Sequence, residues 1–269
     1  MMKGTMARGL GCILLTGACA CAAYDDFDDE LYPDDISLRQ TEFSVRADAD
    51  HPGGDLWIGN GLHTPNVSGI DPDHALDTPE GLSESQGLLV DPAHWATAQY
   101  LVECALSPEQ SITKTVDGET VILEGMLGLA PEWETETCDE DCQQWVTACL
   151  LARTNVTSKT VWLGLSAHHP AIGTNNNPSF SLYEASWYGN LFAKTPEQYF
   201  CQGNPAGLTS AHRAGRTCST GQHEDCGFTE LGRCRENNRC DFHEGMALDC
   251  VAGGKTYNTI STYVDVPGQ

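Results

Sequence analysis

Apolar residues recur at helical spacing in two stretches of this chain. Trp95, Ala98, Leu101, Val102 and Ala105 fall at three- and four-residue steps, which builds one apolar face on an α-helix. Asp91 stands where it caps the first turn, and Pro92 where a missing N–H costs nothing; the helix is expected to stop before Pro108. Cys142, Trp145, Val146, Cys149 and Leu150 keep the same spacing through about Arg153. Thr137, with Glu140 three residues on, predicts a capping box ahead of that second helix.

Elsewhere the pattern shortens to strands. Asp117-Gly118 is a preferred hairpin turn, because both positions tolerate positive φ; Ile112 to Val116 and Thr120 to Leu123 form its arms. Val161 to Leu165 reads as a buried strand, Tyr183 to Phe192 as an aromatic-rich stretch, and Tyr199 to Cys201 as a short strand. Phe43 with Val45, and Leu56-Trp57-Ile58 between glycine pairs, are weaker candidates. The tract through Pro65, Pro72 and Pro79 and the link through Pro131 and Trp133 lack periodicity. The expected fold is an irregular, loop-rich α+β domain, secreted and stabilised by disulfides.

The N-terminus changes the picture of where this domain resides. Lys3 and Arg8 precede Gly9 to Ala18, an apolar run too short to span a bilayer as a helix but suited to a signal peptide. The run ends in Thr16-Gly17-Ala18-Cys19, which resembles a bacterial lipobox, with Thr16 where leucine is commoner. The resemblance implies lipidation at Cys19; Cys12 and Cys21 fit the role less well. Losing Lys3 and Arg8 with the leader takes the formal charge from −24 to −26. Seven acids between Asp25 and Asp35 make a self-repelling segment that reads as a spacer. Calcium is a possible ligand there. The expected divisions are a signal peptide (1–18), lipid attachment and acidic spacer (19–40), a main α+β domain (41–217) and a cysteine-rich C-terminal lobe (218–269). The acidic balance disfavours nucleic acid, whose binding relies on cationic neutralisation of phosphates. The expected membrane contact is through the N-terminal lipid; ligand and protein partners stay open.

Beyond the leader stand Cys104, Cys138, Cys142, Cys149, Cys201, Cys218, Cys226, Cys234, Cys240 and Cys250. An even number without any C-x-x-C pair reads as a disulfide framework rather than zinc, haem or thioredoxin-like chemistry. Cys142 and Cys149 lie two turns apart on one helix and do not pair easily with each other. One of them is expected to bridge Cys104 and staple the two helices. The other reaches Cys138 only if the first turn bends, so a strand or loop partner is equally open.

Three constellations invite chemistry. Gly164-Leu165-Ser166-Ala167-His168 resembles the nucleophile elbow of the α/β-hydrolases, with His168 in place of the last glycine. That resemblance implies Ser166 as nucleophile, with His212 (or His223 or His243) as base and Asp225 (or Asp241) as orienting acid. His51-Pro52-Gly53-Gly54 likewise resembles a glycine-rich oxyanion loop, but the helices are too few for that fold. Asp71, Asp73 and His74 offer alternating ligands for calcium or zinc, with His63 in reach, while His168 and His169 point to opposite faces if they lie on a strand. Glu124, Glu132 and Glu184 lie near aromatics, as a glycosidase pair would. Trp57, Trp187 and Tyr188 are the first candidates for a binding surface if exposed, and core if buried.

Leu127-Gly128-Leu129-Ala130-Pro131-Glu132-Trp133 and the stretch from Gln144 to Arg153 resemble segments of uncharacterised cysteine-rich lipoproteins of myxobacteria-like organisms. The resemblance implies a cell-surface or periplasmic protein and transfers no catalytic residue. The expected function is therefore that of an extracytoplasmic lipoprotein with a non-catalytic binding or structural role in the bacterial cell envelope, without a cofactor. The alternative is a secreted hydrolase, serine esterase-like or glycosidase.

Overall fold

In the computed structural model the described residues are 57–59, 62, 65–155, 162–203, 228–243 and 246–264. The leader, Cys19, the acidic spacer, Phe43, Val45, Cys218 and Cys226 lie outside them.

The first periodic stretch forms helix α1 (Trp95–Ala105). Asp91 caps as expected, its Oδ1 accepting from the Ala93 amide at 3.0 Å, but the first turn, Pro92–His94, is a separate 3-10 turn. The far end of α1 lacks a glycine cap. Instead the segment from Met126 to Ala130 runs past it. The amides of Leu127, Leu129 and Ala130 donate to the carbonyls of Glu103, Cys104 and Ala105, and those of Met126 and Gly128 to Leu106. The segment that carried the lipoprotein resemblance thus satisfies carbonyls that every helix leaves orphaned.

Hairpin β2 (Ser111–Val116) and β3 (Glu119–Glu124) turns at Asp117 and Gly118, both at positive φ, +51° and +85°. Ile112, Val116, Val121 and Leu123 face the core. Lys114 shares that inward face, and its Nζ donates to the Thr78 carbonyl at 2.6 Å.

Helix α2 (Glu140–Ala152) begins at Asp139, whose Oδ1 accepts from the Cys142 amide at 3.0 Å. The expected Thr137 box does not form. Cys138 is held outside the helix by its bridge to Cys142 and by its amide's bond to the Pro72 carbonyl, so Asp139 becomes the first free capping position.

The remaining strands are β1 (Trp57–Gly59), β4 (Trp162–Ser166), β5 (Leu182–Asn190), β6 (Glu197–Gln202), β7 (Thr229–Arg233), β8 (Cys240–His243), β9 (Met246–Ala252), β10 (Lys255–Asn258) and β11 (Ile260–Val264). Six form one sheet in the order β1-β4-β11-β5-β6-β7, antiparallel except for β6 with β7. One face of it carries Leu165, Trp187, Phe200 and Ile260 into the core shared with α1, α2 and the hairpin. The other face carries Tyr188 and Cys201 into a second cluster with Cys234, Cys240, Cys250 and Tyr257, built around the sheet β10-β9-β8. Neighbouring residues of one strand point to opposite faces, so Trp187 and Tyr188 serve different cores.

This is the α+β, loop-rich, disulfide-bridged architecture expected. The division at 217/218 does not follow the strands: β7 edges the main sheet and β11 lies in its middle. All described residues belong to one compact unit.

Candidate functional site

Ser166 does not stand on an elbow. It is the last residue of β4, an antiparallel strand, wholly buried, directly opposite Ser261. No helix follows it. Its Oγ lies 3.4 Å from the Gly173 carbonyl and 3.4 Å from the Asn175 amide, so backbone groups occupy it. His212 and Asp225 lie outside the described residues, as do His223 and the His51–Gly54 loop. A serine nucleophile needs a base in hydrogen-bond reach and an open face for the acyl group; the face is closed here.

Register explains why that serine is inside. Ser166, Ser261 and Ser186 are cross-strand partners in a row over β4, β11 and β5, and Cys201 continues the row on β6. Ser186 Oγ bonds Ser261 Oγ at 2.7 Å and the Tyr183 hydroxyl at 2.6 Å. Burial pushes the Tyr183 phenol up to about 12. Tyr183, Ser186 and Ser261 thus form a neutral hydrogen-bonded chain inside the fold.

The opposite face holds Glu184, buried, whose Oε2 accepts from Thr262 Oγ1 at 2.8 Å; Thr262 Oγ1 in turn accepts from the Trp187 indole at 2.9 Å. Glu124 and Glu132, its proposed companions, are exposed on β3 and on the Pro131–Glu134 turn. Trp187 stacks on Phe200 with centroids 5.3 Å apart, and Tyr188 packs against Tyr199 and Tyr257. Both are core rather than binding platform, because helices cover one face of the sheet and β8–β10 the other. The Trp57 side chain lies outside the described residues.

Asp71, Asp73 and His74 form a turn that consumes its own ligands. Asp71 Oδ1 accepts from the Asp73 amide at 3.0 Å, and Oδ2 lies 3.1 Å from His74 Nδ1. Among the described residues, its ligand atoms do not converge with a third group.

His168 and His169 follow β4 in a turn rather than lying on the strand. His169 is half-buried, its ring 4.9 Å from that of Trp145, and its Nδ1 accepts from the Ala171 amide at 3.2 Å. Burial holds this imidazole below the usual histidine range, against the pull of Asp141 and Glu132. As pH falls, the unfolded chain therefore takes up this proton first. The histidine's contribution to stability is complete above pH ~6.5 and is lost as pH falls through the lower folded value. The urea midpoint is expected to drop between pH 7 and 5, and His169→Gln to flatten that drop. An identical profile in the variant would remove His169 as its source.

Among the described residues, the group of three ligand-type side chains that does converge is Cys201, Cys234 and Cys240, with sulfur atoms within 4.8 Å of one another. That separation suits a thiolate metal centre, but all three are bridged. Cys201 pairs with Cys234, and Cys240 with Cys250. Cys201 Sγ lies 3.5 Å from Cys240 Sγ, so the two bridges touch. Nothing in the spacing of these cysteines announced the contact, which register alone produces.

A second buried group also escaped sequence reasoning. Arg153, the C-cap of α2, is fully buried, with Nη2 2.5 Å from Glu103 Oε2 of α1 and its guanidinium 4.0 Å from the centre of the Tyr100 ring. The ion pair is close but off the hydrogen-bond direction, and Arg153 Nε and Nη1 find no acceptor among the described residues. Burial pushes the Tyr100 phenol up to about 12, against the pull of Arg153. Chemically this is a structural clamp between helices.

Among the described residues no helix is long and apolar enough to cross a membrane. Comparison of the chain with family models, curated proteins and solved structures finds no match.

Proposed function

We propose that this chain is an extracytoplasmic lipoprotein of the bacterial cell envelope whose folded domain has a non-catalytic binding or structural role. The observation that carries the reading is the state of the cysteines. All eight described ones are buried and joined in four bridges, Cys104–Cys149, Cys138–Cys142, Cys201–Cys234 and Cys240–Cys250. Disulfides in such positions persist in oxidising compartments and are rare in the cytosol. The leader (1–18) supplies a route out, a lipid on Cys19 an anchor, and the acids from Asp25 to Asp35 a spacer between membrane and domain. The burial of Ser166 in mid-sheet supports the non-catalytic role over an esterase.

Intact mass of the mature protein, with and without reduction and alkylation, tests the reading. The expected product starts at Cys19, carries acyl chains and takes up alkylating agent only after reduction. Cys19→Ala is expected to release it from the membrane fraction. A cytosolic product that retains its leader and has free thiols overturns the location. Turnover of a short-chain ester that Ser166→Ala abolishes overturns the non-catalytic role.

A further inference from the structure

Cys201 and Cys234 tie β6 to the residue after β7, and Cys240 and Cys250 tie β8 to β9 at directly opposed positions of the ladder. These four cysteines come from four places in the chain, yet their sulfurs form one cluster in the second core. The contact between Cys201 Sγ and Cys240 Sγ, 3.5 Å, is the van der Waals separation from which a thiolate on one bridge meets a sulfur of the other. Access is graded: Cys240 is 8% exposed, while Cys201, Cys234 and Cys250 are wholly buried.

We propose that these two bridges are a single thiol–disulfide exchange site, whose substrate is a dithiol reductant that enters at Cys240. One thiolate of the dithiol attacks Cys240 Sγ, breaks its bond to Cys250, and Cys250 leaves as a thiolate that takes up a proton. The second thiol of the reductant resolves the mixed disulfide. The reductant departs oxidised, as its own disulfide, and Cys240 is freed as a thiolate. Two electrons have then entered the protein. Cys240 next attacks Cys201 Sγ, the sulfur it already touches. The Cys201–Cys234 bond breaks as Cys201–Cys240 forms, and Cys234 leaves as a thiolate and is protonated. This second step is redox-neutral, as thiol–disulfide exchange requires.

The exchange has a structural consequence. The Cys234 amide donates to the Gln202 carbonyl at 3.0 Å, beside the bridge that fastens the end of β7 to the main sheet. β7 is an edge strand with largely exposed side chains. Moving the covalent tie from Cys234 to Cys240 releases β7 and fastens β8 to β6 instead. Reduction at one bridge is thereby read out at a different strand. Neither Cys104–Cys149 nor Cys138–Cys142 has such a partner among the described residues.

The test is partial reduction of the native full chain with limiting dithiothreitol, followed by an acid quench, alkylation with N-ethylmaleimide and peptide mapping by mass. The expected two-electron-reduced species carries label on Cys234 and Cys250 and a peptide crosslink between Cys201 and Cys240. Label confined to Cys240 with Cys250, or to Cys201 with Cys234, with the other bridge intact throughout, overturns the proposal. Cys250→Ser gives a second readout without added reductant. Its free thiol is expected to be shared between Cys240 and Cys234, and a thiol found on Cys240 alone in the folded variant is equally fatal. Neither readout depends on lipidation or on the role proposed for the domain.

Discussion

Glu103→Gln is expected to destabilise the domain by about 3–5 kcal/mol, the cost of stranding a buried charge without its partner. Arg153 cannot shed its proton to escape, because a guanidinium stays charged at any pH a protein survives. Its side chain is 0% exposed, so bulk water does not reach it in place of the lost carboxylate. The Tyr100 ring beneath the guanidinium offers its face, a weaker partner than the lost carboxylate. The complementary variant separates burial from pairing. Changing both residues, Glu103→Leu with Arg153→Met, removes the charges together, and the double variant is expected to match or exceed the native stability by about 1–4 kcal/mol. Urea unfolding of the three proteins decides it. A single variant within about 0.5 kcal/mol of native, the range of ordinary surface changes, would mean that the pair is hydrated and not a clamp.

Removing the Cys104–Cys149 bridge by double alanine substitution is expected to cost about 4 kcal/mol, from the chain entropy of the loop it closes. That loop spans 45 residues and joins α1 to α2, whereas Cys138–Cys142 spans 4 within one turn. The same relation gives about 2 kcal/mol for the short loop. The ordering is the robust part, since both pairs are buried and both substitutions lose similar packing. Equal losses in denaturant, or a larger loss from the short loop, would show that the bridges act through local geometry in the folded state rather than through the unfolded chain.

Local rules carried part of the fold. The hairpin at Asp117-Gly118 is legible because two positive-φ residues in succession admit one kind of turn. The face of α1 is legible because a buried helix must repeat its apolar residues near every 3.6 positions. The start of α2 lies two residues beyond the one the Thr137–Glu140 spacing predicts, since the bridge that ties Cys138 to Cys142 of the first turn chose the cap. The staple between the helices followed from cysteine spacing to the extent that Cys142 or Cys149 should meet Cys104; packing selected Cys149.

The candidate sites were legible as residue types and not as places. Ser166 sits in a glycine-flanked, strand-like stretch, but only the pairing of β11 between β4 and β5 buries it in a row of hydroxyls. Trp187 and Tyr188 look like a surface platform until a second sheet closes over the face that Tyr188 occupies. The Arg153–Glu103 clamp joins residues 50 apart in the chain, and each alone resembles an ordinary surface charge.

From its letters alone, this chain declares two helices, a hairpin, a leader with its acidic spacer and a framework of cysteines, because each depends on neighbours within a few residues. Which cysteines pair, which serine is sealed in and where two bridges come into contact depend on strand register between distant segments. A shift of one residue turns every side chain of a strand to the other face, and only the assembled sheets decide it.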